Sequence, residues 1–138
     1  MLEKGLIHTC EKVVEEQHLA VNVGSGDLRV FATPAMMALM EEAAMLAVAP
    51  HLPEGSTTVG GHIASSHLKP TAQGRTVRAT AELVAIEGRK LKFTVKAYDE
   101  EGLIGEGEHL RFIVDRGKFM ARLGSPYRQK AWLSEKSS

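Results

Sequence analysis

The chain lacks the features that mark secreted, membrane and nucleic-acid-binding proteins. Its 138 residues include one cysteine, Cys10, so no intramolecular disulfide can form and a reducing compartment is expected. No apolar run reaches the length of a membrane span, and residues 1–10 lack the apolar segment of a signal peptide. The 17 basic side chains balance 17 acidic ones, which removes any overall attraction to nucleic acid or an anionic membrane. We therefore expect a cytoplasmic protein that binds neither nucleic acid nor a membrane.

What the chain does contain is the composition of one ordinary globular domain. Apolar residues make up 43% and charged residues 25%, which suffices for a hydrophobic core without a metal or disulfide. From Gly124 onward the sequence becomes polar. We predict one domain over residues 1–123 and a polar C-terminal tail over residues 124–138.

A long helix is predicted in the first half of the domain. Thr33 is a suitable N-cap, and Pro34 fits the first helical position. Strong helix formers follow through residue 49, and Pro50 and Pro53 end the segment. Because apolar residues occupy nearly the whole circumference, the helix should be buried. Either a curled sheet wraps around it, or it lies between a sheet and a partner subunit.

Five strands are predicted around this helix. The first lies within residues 6–21, and alternating apolar residues place the others at 57–68, 75–86, 90–98 and 103–114. Short turns join the last three strands, which is typical of an antiparallel meander. The predicted fold class is therefore α+β, with one long helix and an antiparallel sheet.

Glu41 and Glu42 interrupt the otherwise apolar helix. Adjacent helical residues point about 100° apart, so one carboxylate can reach solvent or an interface while the other stays near the core. A carboxylate near the core must be hydrogen-bonded or have a raised pKa, and such groups are common at functional sites. The alternative is that both carboxylates reach one solvated stripe of the helix.

Histidine and glycine residues mark the first strand after the helix. His62 and His67 are five residues apart, which places them on opposite faces, and no Cys/His cluster occurs elsewhere, so we expect no metal. His67 is a candidate for proton transfer or a structural histidine. Gly60 and Gly61 indicate either a simple bulge or a close approach of the backbone to a ligand.

Two further residues have both a functional and a structural interpretation. Arg111, in the last strand, could bind a phosphate or phosphopantetheine group, or form a surface ion pair. Thr33 is explained by capping, yet the start of a helix carries free N–H groups and a positive partial charge. Such a helix start can polarise a carbonyl or hold an oxyanion.

Four segments carry a joint pattern. They are Phe-Ala-Thr-Pro-Ala-Met at 31–36 with Glu41, the stretch from Gly60 to His67, Val-Ala-Ile-Glu-Gly-Arg-Lys-Leu at 84–91, and Ile-Gly-Glu-Gly-Glu-His-Leu-Arg at 104–111. Together they resemble the fluoroacetyl-CoA thioesterase-like family of hotdog-fold proteins over roughly residues 1–123. The resemblance depends on the joint spacing of Thr33, Glu41, Gly60 and His67.

The resemblance implies a hotdog fold, in which a curled antiparallel sheet wraps a long helix. It implies hydrolysis of an acyl-CoA thioester with a small acyl group, at the interface of a homodimer; pairing into tetramers stays open. The family's catalytic residues fall on Thr33, Glu41 and His67, and its substrate-contacting glycine falls on Gly60. Arg111 matches a position expected to contact the CoA part. CoA belongs to the substrate, so no separate cofactor is implied.

Two departures from the family pattern concern selectivity and charge. Members specialised for fluoroacetyl groups have a longer, aromatic-bearing segment before the helix, whereas residues 21–30 contain no aromatic. We therefore expect no strict selectivity for fluoroacetyl groups. Glu42 places a second charge beside Glu41, which can alter the pKa of Glu41.

The spacing of Thr33 and Glu41 also limits the site. Eight helical residues span about 12 Å along the axis. The two side chains therefore share a site only if the chain leaves the helix near Thr33, if the substrate spans the gap, or if two subunits combine.

Two other functions are compatible with this fold. A non-catalytic acyl-CoA-binding or regulatory domain would keep the fold and Arg111 but show no turnover. A hydratase or dehydratase would use an Asp/His pair on a different element, and the sequence contains no such motif. Fold alone does not decide function, and the four-residue set favours hydrolysis.

Overall fold

The structure is a computed structural model that describes residues 1–124. Its five strands are β1 (Ile7–Val13), β2 (Ser56–His67), β3 (Thr76–Glu87), β4 (Lys90–Asp99) and β5 (Gly102–Asp115). Its helices are α1 (Ala20–Val23), α2 (Thr33–Val48) and α3 (Arg116–Arg122), with short 3-10 turns at Glu16–His18 and Ala49–His51. Apart from Gly124, the predicted polar tail lies outside the described residues. In residues 1–124, no helix combines the length and apolarity needed to cross a membrane.

The strands form one antiparallel sheet in the order β1-β3-β4-β5-β2. The predicted meander is confirmed, since β3, β4 and β5 are neighbours in space as they are along the chain. β2 pairs only with β5, so β2 forms one edge of the sheet. The observed α+β architecture, a long helix against a curled antiparallel sheet, is the one expected.

One face of α2 packs on the sheet, mainly on β3 and β1. The buried side chains of this face recur every three or four residues: Met36, Leu39, Met40, Ala43, Ala44, Ala47 and Val48. The opposite face is not covered by the chain's own sheet, because Pro34, Ala38 and Glu42 are exposed and Met37 and Met45 are half-buried. A single chain therefore buries only part of a helix that is apolar nearly all round.

The first strand is shorter than predicted. β1 ends at Val13, and residues 15–18 form a tight turn in which the backbone N–H of Glu15 donates to His18 Nδ1 at 2.9 Å. The 3-10 turn Glu16–His18 and helix α1 follow directly after β1. Val14 and Leu19, on either side of the turn, are buried.

The start of α2 and the presence of α3 also differ from expectation. Thr33 is the first helical residue rather than the N-cap, which is Ala32, and no side chain caps this end. Helix α3 was not predicted; Asp115 caps it by accepting the backbone N–H of Lys118 at 2.9 Å.

A buried contact between Thr71 and Asp99 fixes the chain next to the start of α2. The Thr71 hydroxyl donates to Asp99 Oδ2 at 3.0 Å, and the Thr71 carbonyl accepts the N–H of Phe31 at 2.9 Å. Burial raises the pKa of the Asp99 carboxyl, but hydrogen bonds from the Glu101 backbone and from Thr71 outweigh this and hold that pKa below its ordinary value. The contact ties the residues before α2 to the end of β4.

Candidate active site

Thr33 and His67 form a direct pair at the start of α2. The Thr33 Oγ1 and His67 Nδ1 atoms lie 2.7 Å apart and share a hydrogen bond. The ring of Phe31, which is buried, meets the His67 ring edge-on with centroids 6.4 Å apart. The sequence predicted that the Thr33 hydroxyl caps the helix, but in the structure this hydroxyl bonds to His67 instead.

The second nitrogen of His67 is the unusual atom of this pair. Nε2 is buried and has no hydrogen-bond partner among residues 1–124. Burial lowers the pKa of His67, and a backbone interaction with Lys69 offsets this only in part, so the ring is mainly neutral at pH 7. A cavity of about 300 Å³ adjoins the pair, lined by Ala20, Ser25, Val30, Phe31, Thr33, His67, Leu68, Lys69 and Pro70.

Glu41 turns toward the sheet and meets the backbone of Gly60. Its side chain is 42% exposed, whereas Glu42 lies on the exposed face of α2. A Cβ added to Gly60 would lie only 2.9 Å from Glu41 Oε1, so a larger residue would displace the carboxylate. The bulge interpretation of the glycine pair is confirmed, because the β2 register shifts between Gly60 and His62.

The same bulge decides which residues share a face of β2. Gly60 and His67 are seven residues apart, a spacing that would put them on opposite faces of a regular strand. The register shift between Gly60 and His62 turns both toward α2, where they meet Glu41 and Thr33 respectively. His62, on the opposite face from His67 as predicted, is exposed.

Arg111 lies in the interior behind Glu41 and pairs with it there, so the predicted ion pair is present but its arginine is buried rather than at the surface. It is only 7% exposed. Its Nε donates to Thr58 Oγ1 at 2.8 Å, its Nη2 donates to the Thr58 carbonyl at 3.0 Å, and its Nη1 lies 3.9 Å from Glu41 Oε1. Burial lowers the pKa of Arg111 and the Glu41 charge raises it, and a guanidinium stays charged under ordinary conditions.

His109 is a buried site residue that the sequence analysis missed. It is 1% exposed, its Nδ1 lies 2.7 Å from the His62 carbonyl oxygen, and its Nε2 lies 3.1 Å from Arg111 Nη1. Burial lowers the pKa of His109, the His62 bond opposes this, and the Arg111 charge adds to the lowering. A signal was present, since His109 and Arg111 are two apart in β5 and so face the same side.

Within one chain these residues form two groups rather than one site. Thr33 and His67 make the first group, and Glu41, Gly60 and Arg111 belong to the second. Helical rise separates Thr33 from Glu41 by about 12 Å, and strand rise separates Gly60 from His67 by roughly 23 Å. In the part of the chain that the structure describes, no cluster of His, Cys, Asp or Glu could hold a metal ion.

Comparison with known proteins assigns the chain to a family. The family described as fluoroacetyl-CoA-specific thioesterase matches residues 14–117. A curated fluoroacetyl-CoA thioesterase from Streptantibioticus cattleyicolor is 43% identical over 94 residues, which cover 68% of each protein. The chain belongs to the fluoroacetyl-CoA-specific thioesterase family, as the resemblance predicted.

Solved structures support the same assignment. A variant of the fluoroacetyl-CoA-specific thioesterase in complex with fluoroacetate and CoA is 35% identical, with a TM-score of 0.80 over 86% of this chain and 99% of that one. A thioesterase superfamily member from Thermus thermophilus is 28% identical, with a TM-score of 0.85 over 97% and 98% of the two chains. The predicted hotdog fold and thioesterase class are confirmed.

Proposed function

We propose that this protein hydrolyses acyl-CoA thioesters with a small acyl group to the free acid and CoA. The observation that carries the proposal is the unpaired, buried Nε2 of His67, whose other nitrogen is held by Thr33. A buried polar atom without a protein partner is costly unless a water, a ligand or a reacting group satisfies it, and a cavity adjoins His67. The names of the relatives, which are thioesterases, supply the reaction class.

Glu41 supplies the carboxylate for the chemistry. It attacks the thioester carbonyl or activates the water that does so. The thiolate leaving group has a pKa near 8.5, going by cysteine, so its departure needs little help from an acid. His67, which is mainly neutral, moves the proton, and Thr33 holds its ring.

Gly60 and Arg111 bind the acyl end of the substrate in this proposal. The lack of a side chain at Gly60 leaves room beside Glu41 for a carbonyl, and backbone N–H groups at the bulge or at the start of α2 are the donors for an oxyanion. The burial of Arg111 behind Glu41 favours a contact with the acyl group rather than with the CoA nucleotide.

A homodimer completes the site. The exposed face of α2 carries apolar side chains, including Ala38, Met37 and Met45, which a second copy would cover. The twelve-residue strand β2 is an edge, and such edges pair readily with another chain. A two-fold interface would bring Thr33 and His67 of one subunit toward Glu41 of the other. Pairing of dimers into tetramers stays open, and the cytoplasmic location and the absence of a cofactor remain predictions.

The short segment before α2 favours a broader acyl range than fluoroacetyl alone. Backbone hydrogen bonds close residues 20–30 into a compact loop, in which Ala20 N–H donates to the Val30 carbonyl at 2.8 Å and Val21 N–H donates to the Leu28 carbonyl at 3.1 Å. No aromatic ring lies in this loop, and Leu28 is exposed to solvent. Acetyl, fluoroacetyl and propionyl thioesters are therefore expected to be hydrolysed with similar kcat/KM.

The test is thiol release from a panel of acyl-CoAs by wild type, Glu41→Gln and Glu42→Gln. Loss of the reacting carboxylate should lower kcat by at least about 100-fold, while the exposed neighbour serves as the matched control. Hydrolysis by Glu41→Gln at the wild-type rate would show that the assignment is wrong. Acyl-CoA binding by wild type in calorimetry without thiol release would favour the non-catalytic binding domain instead.

A further inference from the structure

The contacts of His109 define its protonation state. Its Nδ1 faces the carbonyl oxygen of His62, which can only accept, so Nδ1 carries the proton. Its Nε2 faces Arg111 Nη1, which can only donate, so Nε2 is the bare nitrogen. The ring is therefore the neutral Nδ1–H tautomer, and an imidazolium would turn an N–H toward the guanidinium. Burial of the ring, at 1% exposure, leaves no water to take over either bond.

Three hydrogen bonds hold the guanidinium of Arg111 in place. Nε and Nη2 donate to Thr58, and Nη1 donates to His109. Nη1 still has one N–H, and this nitrogen is the one closest to Glu41, at 3.9 Å from Oε1. The bond from Arg111 Nη1 to His109 thus positions this nitrogen relative to the Glu41 carboxylate.

His109 also connects this charge to the bulge in β2. The His62 carbonyl that it binds lies at the register shift beside Gly60, and a Cβ on Gly60 would lie 3.3 Å from His109 Cε1. The groups around the ring come from all neighbouring elements. Glu41 faces it from α2, His62 from β2, Arg111 from β5, and Phe93 of β4 packs on it with ring centroids 6.2 Å apart.

We infer that His109 is a positioning residue for thioester hydrolysis: as a neutral Nδ1–H imidazole it anchors Arg111 to the β2 bulge and holds Nη1 beside Glu41. The inference rests on the proposed function, because its kinetic consequence requires Glu41 to be the reacting carboxylate. The predicted tautomer does not depend on activity.

The first experiment reads the tautomer directly. Long-range ¹H–¹⁵N NMR of the six histidine rings distinguishes Nδ1–H, Nε2–H and imidazolium forms, and the His109 signal is identified by its absence in His109→Asn. We expect His109 to be neutral at pH 7 with its proton on Nδ1. A proton on Nε2, or an imidazolium, would overturn the inference whether or not the protein is a thioesterase.

The second experiment separates positioning from packing with two matched variants. In His109→Gln the amide oxygen takes the place of Nε2 and accepts from Arg111, whereas in His109→Asn the amide replaces Nδ1 and leaves Arg111 without its acceptor. Losing a hydrogen bond to a charged group should lower kcat of the Asn variant by about 10-fold or more relative to the Gln variant. KM should change less than about threefold, since the His109 side chain is buried and is not available to bind substrate directly.

A double-mutant cycle with Arg111→Met completes the test. If His109 acts through Arg111, adding His109→Asn to Arg111→Met should lower kcat by less than about threefold further. Equal kcat values for the Asn and Gln variants, or full additivity with Arg111→Met, would overturn the positioning role. Absence of thiol release from wild type would instead contradict the proposed function and leave the NMR result to decide the inference.

Discussion

Mixing two inactive variants should restore activity if the site combines two subunits. Glu41→Gln removes the carboxylate, and His67→Ala removes the histidine that Thr33 holds, so each homodimer has two defective sites. Helical rise separates Thr33 from Glu41 by about 12 Å along α2 in one chain, which is too far for direct contact. A dimer with one chain of each kind would have one site with both groups intact and one site with neither.

The size of the effect follows from random pairing. Equal amounts of the two chains form mixed dimers in about half of all pairs, and each mixed dimer has one intact site of two. The mixture should therefore reach about one quarter of the wild-type kcat per chain, and purified mixed dimers about one half.

The assay uses chains with two different affinity tags, refolded together from denaturant, with thiol release measured before and after purification of the mixed dimer. The control mixes Glu41→Gln with the double variant Glu41→Gln/His67→Ala, which has no intact combination and should stay inactive. If mixed dimers form but show only the background of the parent variants, both groups act within one chain. The composite site would then be refuted, and the substrate would have to span the gap.

Two further predictions concern the close approach at the bulge and the buried acid. Gly60→Ala should fold but lower kcat by about 10-fold or more, because its methyl group meets Glu41 Oε1. The control for disturbance of the bulge is Gly61→Ala, whose methyl group meets the Phe112 ring on the other face and forces that ring to shift without touching Glu41. Equal kcat for both variants would contradict this prediction. Asp99→Ala should lower the free energy of unfolding by about 2 kcal/mol at pH 7, by removing bonds from Thr71 and a backbone N–H. Folding lowers the pKa of Asp99, so the stability that its carboxylate contributes is present above the pKa of Asp99 in the unfolded chain. This contribution is lost as the pH falls through the pKa of Asp99 in the folded protein. The difference in free energy of unfolding between wild type and Asp99→Ala, measured with urea, should therefore shrink below about pH 4. A difference that does not change with pH would contradict the role given to the Asp99 carboxylate.

The local pattern of the chain was enough to predict its main elements. Helix formers between Thr33 and Pro50 gave α2, and period-2 alternation gave β2 to β5 within one or two residues of their observed bounds. The exceptions are places where a short-range hydrogen bond competes with the pattern. A turn with a bond from Glu15 to His18 follows β1, and Asp115 caps a helix that was not predicted.

The candidate site was only partly predictable. The family resemblance selected Glu41 over Glu42, and the structure turns Glu41 toward Arg111 and leaves Glu42 exposed. The partner of Thr33 was not predictable, because a hydroxyl at a helix start can either cap the helix or bond to a distant strand. His109 was missed because an inward-facing histidine taken alone has the same pattern as any core residue, and its one signal was the two-residue spacing from Arg111.

The sequence by itself determined the helix, the strands, the family and which chemical groups are available, because these depend on neighbouring residues and their periodicity. Only the tertiary structure decided how the groups combine. One extra residue in β2 brings Gly60 and His67 to the same face, and the pairing of β2 with β5 sets Arg111 and His109 behind Glu41. Such contacts join residues as far as 53 positions apart. They depend on strand register and bulges, which no local pattern specifies.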